Sequence, residues 1–179
     1  MSKEPATGLK EHTSWQSFGI DADFLETKAA WLGEERELHG RASSFFAVAG
    51  SLIRFSRYDY KLASAAFFHA VLGLEKALKL HYRSDDGKLQ ELLAKALEDG
   101  LIADSLFGEA PAFTEPFGKM IRRQLGERPA SRAELLVRLV PKLRNEYMHG
   151  EYLLAPDFLH FALQVRTIAD QLDTRRQNI

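Results

Sequence analysis

Three polar side chains lie close together in the string Leu143-Arg144-Asn145-Glu146-Tyr147-Met148-His149-Gly150. Arg144 offers a planar fork that grips phosphate, His149 exchanges a proton near neutral pH, and Asn145 can orient either partner. Asn145 and His149 are spaced i, i+4, which on a helix puts them on one face. At about 100° per residue, Leu136, Val140, Leu143 and Tyr147 fall in a narrow apolar arc roughly opposite, so the polar pair points away from the core of its own helix. Arg144 sits at the edge between these faces, and its long side chain can reach the same groove. An anion held beside a proton-transfer group is the chemistry of a phosphate ester. A His in the last turn before Gly150 also suits the free carbonyls and the negative end of the helix dipole, so spacing alone leaves a structural role open.

Two further features surround this string. Glu75 and Lys79 are spaced as an i, i+4 ion pair, which reads first as a helix-surface salt bridge. Between positions 119 and 144, Lys119, Arg122, Arg123, Arg128, Arg132, Arg138, Lys142 and Arg144 face only Glu127 and Glu134. The whole chain carries a formal charge of −1, so this basic segment stands out against a balanced background. Lys119, Arg122, Arg123, Arg138 and Lys142 are the candidates to guide a nucleic-acid backbone, and a solvated helix face is the competing reading. His69, His81 and His160 read as structural. No metal or cofactor is expected.

The elements that must position these groups are helical. Leu and Ala supply 48 residues, whereas Val, Ile and Thr supply 17, a composition of good helix formers. The 179 residues contain no Cys, which excludes a thiol nucleophile, a disulfide framework, an iron–sulfur cluster and thiolate zinc. The first residues are polar and no run approaches the roughly 18 apolar residues of a membrane span, so a cytoplasmic chain without membrane contact is expected. The length suits one domain over 21–179, preceded by a loosely ordered lead over 1–20 in which Trp15 and Phe18 pack onto something.

Asp21 is a plausible N-cap for a first helix that shows Phe24, Trp31 and Leu38 every seven residues, flanked by Leu25 and Leu32, as far as Gly40. A second helix over about 41–56 places Phe45, Val48, Ala49, Leu52 and Ser56 on one face. The third, roughly 59–83, is apolar around most of its circumference, with Ala63, Phe67, Ala70, Leu74, Ala77 and His81 as its main stripe, and is the central element. Leu89, Leu92, Leu93, Ala96 and Leu97 mark a surface helix ending at Gly100. Residues 101–130 are irregular, with a short basic helix from about Pro116 to Leu125. Ser131 and Glu134 form a capping box for a helix running to His149, which Pro141 should kink or divide. A last helix begins near Asp157 and buries Phe158, Phe161, Ala162, Val165, Ile168, Ala169 and Leu172. The fold class is therefore all-α, an antiparallel bundle of six to seven helices.

The pattern Arg144-Asn145 followed by His149 resembles the signature of the HEPN superfamily. The third helix, with Ala70 followed by Glu75-Lys76-Ala77-Leu78-Lys79, is similar to the long second helix of those domains, and the two matches span about residues 41 to 172. The resemblance implies an up-and-down antiparallel helical bundle that pairs as a homodimer, with motif residues from both chains lining one cleft. It further implies a metal-independent endoribonuclease of the toxin or antiviral-defence kind, with Arg144, Asn145 and His149 catalytic and with Glu75 and Lys79 on the companion helix and Tyr152 after the motif in support. RNA is the implied substrate, and an antitoxin or other partner protein the implied regulator. A non-catalytic HEPN-like module that binds RNA, a nucleotide or a protein is the alternative. Members paired with a nucleotidyltransferase antitoxin carry a Tyr two positions after the His. Here that position is Glu151 and the tyrosine is Tyr152, a departure from the pattern.

Overall fold

The structure, a computed structural model, describes residues 12–34, 41–107, 131–148 and 157–177, without the side chains of 146–148 and 175–177. Six α-helices are present among the described residues and no strand, so the protein is an all-α helical bundle. None of these helices is long and apolar enough to cross a membrane. The expected basic helix at 116–125 lies outside the described residues.

α1 (Ala22–Gly33) begins as its sequence predicts, with Asp21 Oδ1 accepting from the Phe24 amide at 2.7 Å. It buries Leu25, Ala29 and Leu32, while Phe24 stays 42% exposed, so the heptad at Phe24 and Trp31 marks the flank of the helix and its neighbours mark the core. The helix also ends at Gly33, short of Gly40. α2 (Ala42–Ser56) buries Ala42, Phe46, Ala49, Gly50, Ile53 and Ser56, a face turned away from the expected Phe45 and Val48. The cause is the close approach of α1. A Cβ on Gly50 would stand 2.6 Å from the Ala29 carbonyl oxygen and 2.8 Å from Gly33 N, so the two backbones meet where only a hydrogen fits.

α3 (Leu62–Tyr82) is the central helix, packed against α2, α4, α5 and α6. Ala63, Phe67, Ala70, Leu74 and Ala77 are buried as the stripe predicts, together with Val71, Gly73 and Leu78. Gly73 lets the fully buried Phe46 ring lie against the α3 backbone, since a Cβ there would stand 2.8 Å from the ring edge. Arg83 then turns the chain in the left-handed region at φ 51°. α4 (Leu89–Glu98) buries Leu89, Leu92, Leu93 and Ala96 and stops before Gly100 at φ 67°, where the Leu101 and Ile102 amides both donate to the Ala96 carbonyl.

α5 (Arg132–Met148) starts with the Glu134 amide donating to Ser131 Oγ at 3.1 Å and the Ala133 amide donating to Asp104 Oδ1 at 2.8 Å. Pro141 neither divides nor ends it, and the helix is continuous to Met148. Leu136, Val140 and Leu143 are buried as expected, and Tyr147 falls among the side chains outside the described set. α6 (Asp157–Gln177) lies along α3, with the Phe67 ring 5.3 Å from Phe158 and 6.1 Å from Phe161.

Residues 12–20, the part of the lead in which Trp15 and Phe18 are expected to pack, lie against the turn between α2 and α3. Trp15 is 2% exposed, donates from Nε1 to the Ser56 carbonyl at 2.8 Å, and meets the Tyr60 ring edge-on at 4.8 Å. Phe18 and His12 stack on the same ring.

Candidate functional site

α3 and α5 are both apolar on most sides, so a charged side chain where they touch must find a partner or lose its hydration without return. Glu75 is that partner. Its Oε1 lies 3.0 Å from Lys79 Nζ, the pair its spacing predicts, and its Oε2 lies 3.4 Å from Arg144 Nη2 on α5. The Glu75 side chain is only 18% exposed and that of Arg144 34%, so these charges interact at a lower effective dielectric than a surface pair. One carboxylate between two cations leaves this trio with a net charge of +1.

The contact with Arg144 is incomplete. Glu75 Oε2 and Arg144 Nε are both shielded from water, and neither has a hydrogen-bond partner among the described residues. The long 3.4 Å approach therefore supplies Coulomb attraction without an aligned hydrogen bond. Arg144 leans from the edge of α5 towards α3, while Asn145 is exposed. Lys142 is exposed too, and half-buried Arg138 sits 3.3 Å from Glu134 one turn back along α5. His149, Lys119, Arg122, Arg123 and Tyr152 lie outside the described residues.

Among the described residues no cluster of three His, Asp or Glu side chains could hold a metal ion. His69, on the same helix as Glu75, is held below its ordinary pKa by burial. A separate cavity of about 300 Å³ opens beside Trp15, Ile20, Leu25 and Arg57 at the start of α1. It shares no residue with the Glu75–Arg144 contact. His12, Gln16, Asp21 and Asp23 complete its lining, with no pairing of nucleophile and base among them, so the α3–α5 contact is the stronger candidate.

Spacing pairs Glu75 with Lys79, and the resemblance sets Glu75 beside the motif as a supporting residue; the structure adds its direct contact with Arg144. The meeting of the two had one available signal: each is an ionisable group next to the buried face of a strongly apolar helix. Arg166 was missed altogether. Fully buried on α6, it donates to Asp170 Oδ1 at 2.9 Å, to the Leu32 carbonyl at 2.8 Å and to the Glu34 carbonyl at 3.2 Å, with the Phe46 ring 4.8 Å away. Those bonds place it at the end of α1, where it acts on the fold. Comparison with family models, characterised proteins and solved structures finds no match for this chain.

Proposed function

We propose that the protein is a HEPN-like, metal-independent endoribonuclease of the toxin or defence kind, acting in the cytoplasm as a homodimer. The observation that supports this reading is the approach of Arg144 to Glu75, because it joins the two sequence segments on which the resemblance rests. In the proposed reaction the ribose 2′-oxygen attacks the adjacent phosphorus, the bond from phosphorus to the 5′-oxygen breaks, and a 2′,3′-cyclic phosphate and a 5′-hydroxyl result. His149 takes the 2′-hydroxyl proton or protonates the leaving 5′-oxygen. Arg144 stabilises the charge that develops on the non-bridging oxygens, and Asn145 orients Arg144 or the phosphate. Lys119, Arg122, Arg123, Arg138 and Lys142 supply the basic approach for the RNA backbone, and a second copy of the chain completes the cleft.

The test is cleavage of a mixed tRNA and mRNA pool by purified protein in excess EDTA, beside His149→Ala and Arg144→Ala, with the product ends mapped. Cyclic phosphate ends that disappear in both variants are expected. Absent cleavage, or equal cleavage by the variants, overturns the reading in favour of a non-catalytic binding module.

A further inference from the structure

Arg144 rests in an unsatisfied arrangement, and the imbalance has a direction. Its Nη2 is drawn to Glu75 Oε2 at 3.4 Å without hydrogen-bond geometry, and its Nε is enclosed with no acceptor among the described residues. Glu75, by contrast, keeps Lys79 at 3.0 Å through its other oxygen, so it retains a counter-charge if Arg144 leaves. A phosphodiester offers the guanidinium two oxygens in the geometry its fork prefers, which Glu75 in this position does not. The Arg144 side chain is one-third exposed, so it can be reached from solvent.

The geometry points to Glu75 as a latch on Arg144: the carboxylate holds the guanidinium against α3 in the resting protein, and an arriving phosphodiester displaces it. This rests on Arg144 being the phosphate-binding group of the reading above, and deepens it by naming how that site is kept closed. Lys79 makes the exchange reversible by neutralising Glu75 in the open state. Binding then has to overcome the Glu75–Arg144 attraction, which lowers the apparent affinity by the fraction of molecules in which Arg144 is free.

The experiment measures binding of a fluorescent oligonucleotide, 2′-O-methylated throughout so that it cannot be cleaved, by fluorescence anisotropy at fixed salt. Glu75→Gln, nearly the same size and shape, is expected to bind about two- to fivefold tighter, the range of a partly exposed ion pair. Glu75→Asp, which keeps the charge but shortens the reach, should bind with intermediate affinity. In an Arg144→Met background, itself weaker, Glu75→Gln should change nothing. An equal gain from Glu75→Gln in that background would mean a general field effect and would overturn the latch, as would unchanged or weaker binding by Glu75→Gln alone with thermal unfolding preserved. Binding that Arg144→Met leaves intact overturns the latch while RNA binding elsewhere survives. No binding by the unsubstituted protein overturns both the latch and the ribonuclease reading.

Discussion

Arg166 Nη1 donates to the carbonyl oxygen of Leu32 at 2.8 Å across 134 positions of sequence. With Glu34 and Asp170 also bonded, one fully buried guanidinium serves as the C-terminal cap of α1 and as a tie between the first helix and the last. The last carbonyls of a helix need such a donor when they are shut away from water.

Arg166→Met should therefore destabilise the protein by about 3 kcal/mol, because the carbonyl of buried Leu32 and the half-buried Asp170 carboxylate lose the donor that Arg166 supplies. Arg166→Lys should recover little, since one ammonium cannot span acceptors that a planar fork reaches together. Urea unfolding followed by circular dichroism measures both, and a loss below about 0.5 kcal/mol for Lys would refute the fork argument.

Gly50→Ala sets two effects against each other. Alanine is the better helix former by about 1 kcal/mol, but its Cβ would stand 2.6 Å from the Ala29 carbonyl and 2.8 Å from the Gly33 Cα. Backbone cannot swing aside as a side chain can, so overpacking should win, with a net loss of about 1 to 2 kcal/mol. A stabilised variant in the same unfolding assay would show that α1 and α2 separate without cost.

Acid sensitivity follows from two histidines. Burial lowers the pKa of His160 from 6.5; nearby Asp157 opposes the shift, and Arg132 and Lys28 reinforce it. His69 is lowered by burial as well. A fold that prefers neutral imidazole binds fewer protons than the unfolded chain below about pH 6.5, so its stability is fully present above that value and declines on acidification. The urea midpoint should fall between about pH 7.5 and pH 5.5. That window lies above the one in which Glu26, held low chiefly by its hydrogen bond from Arg54, would be protonated. His160→Gln should narrow the difference between the two pH values, and an unchanged difference would assign the effect to other groups.

How much of this was legible in the sequence depended on which residues do the packing. The stripe from Ala63 to Ala77 on α3 and the leucines of α4 were readable because large and repeated apolar side chains set the inward face. On α1 and α2 the expected Leu25, Leu32, Ala49 and Ser56 are inside, but Phe24 and Val48 are exposed, since the Ala29–Gly50 crossing depends on what is missing from a side chain, and hydrophobic periodicity gives small residues little weight. At the site, Arg144 is visible from its motif and Glu75 from the companion helix, but the i, i+4 spacing shows only the pairing of Glu75 with Lys79. The contact between Glu75 and Arg144 depends on the juxtaposition of two helices distant in sequence.

On the ribonuclease reading, the exposed part of α5 contacts the RNA backbone. Arg138→Ala and Lys142→Ala should then each reduce the slope of log binding constant against log salt by about 1 and weaken all RNA sequences alike. Anisotropy titrations over a range of salt measure this directly. Variants that keep the full slope would mean that the phosphates run along another surface.

The buried guanidinium of Arg166 also bears on the order in which the chain assembles. α1, α2 and α3 are consecutive and contact one another locally, whereas α6 must close a long loop before it meets α1 and α3. The carbonyls of Leu32 and Glu34 converge on one cation only after α1 has formed and turned out of its helix, so α6 docks onto a surface that its predecessors prepare. Arg166 then belongs to the last step of folding rather than to the nucleus. Arg166→Met should accelerate unfolding far more than it slows refolding, a partition that stopped-flow chevrons would read directly.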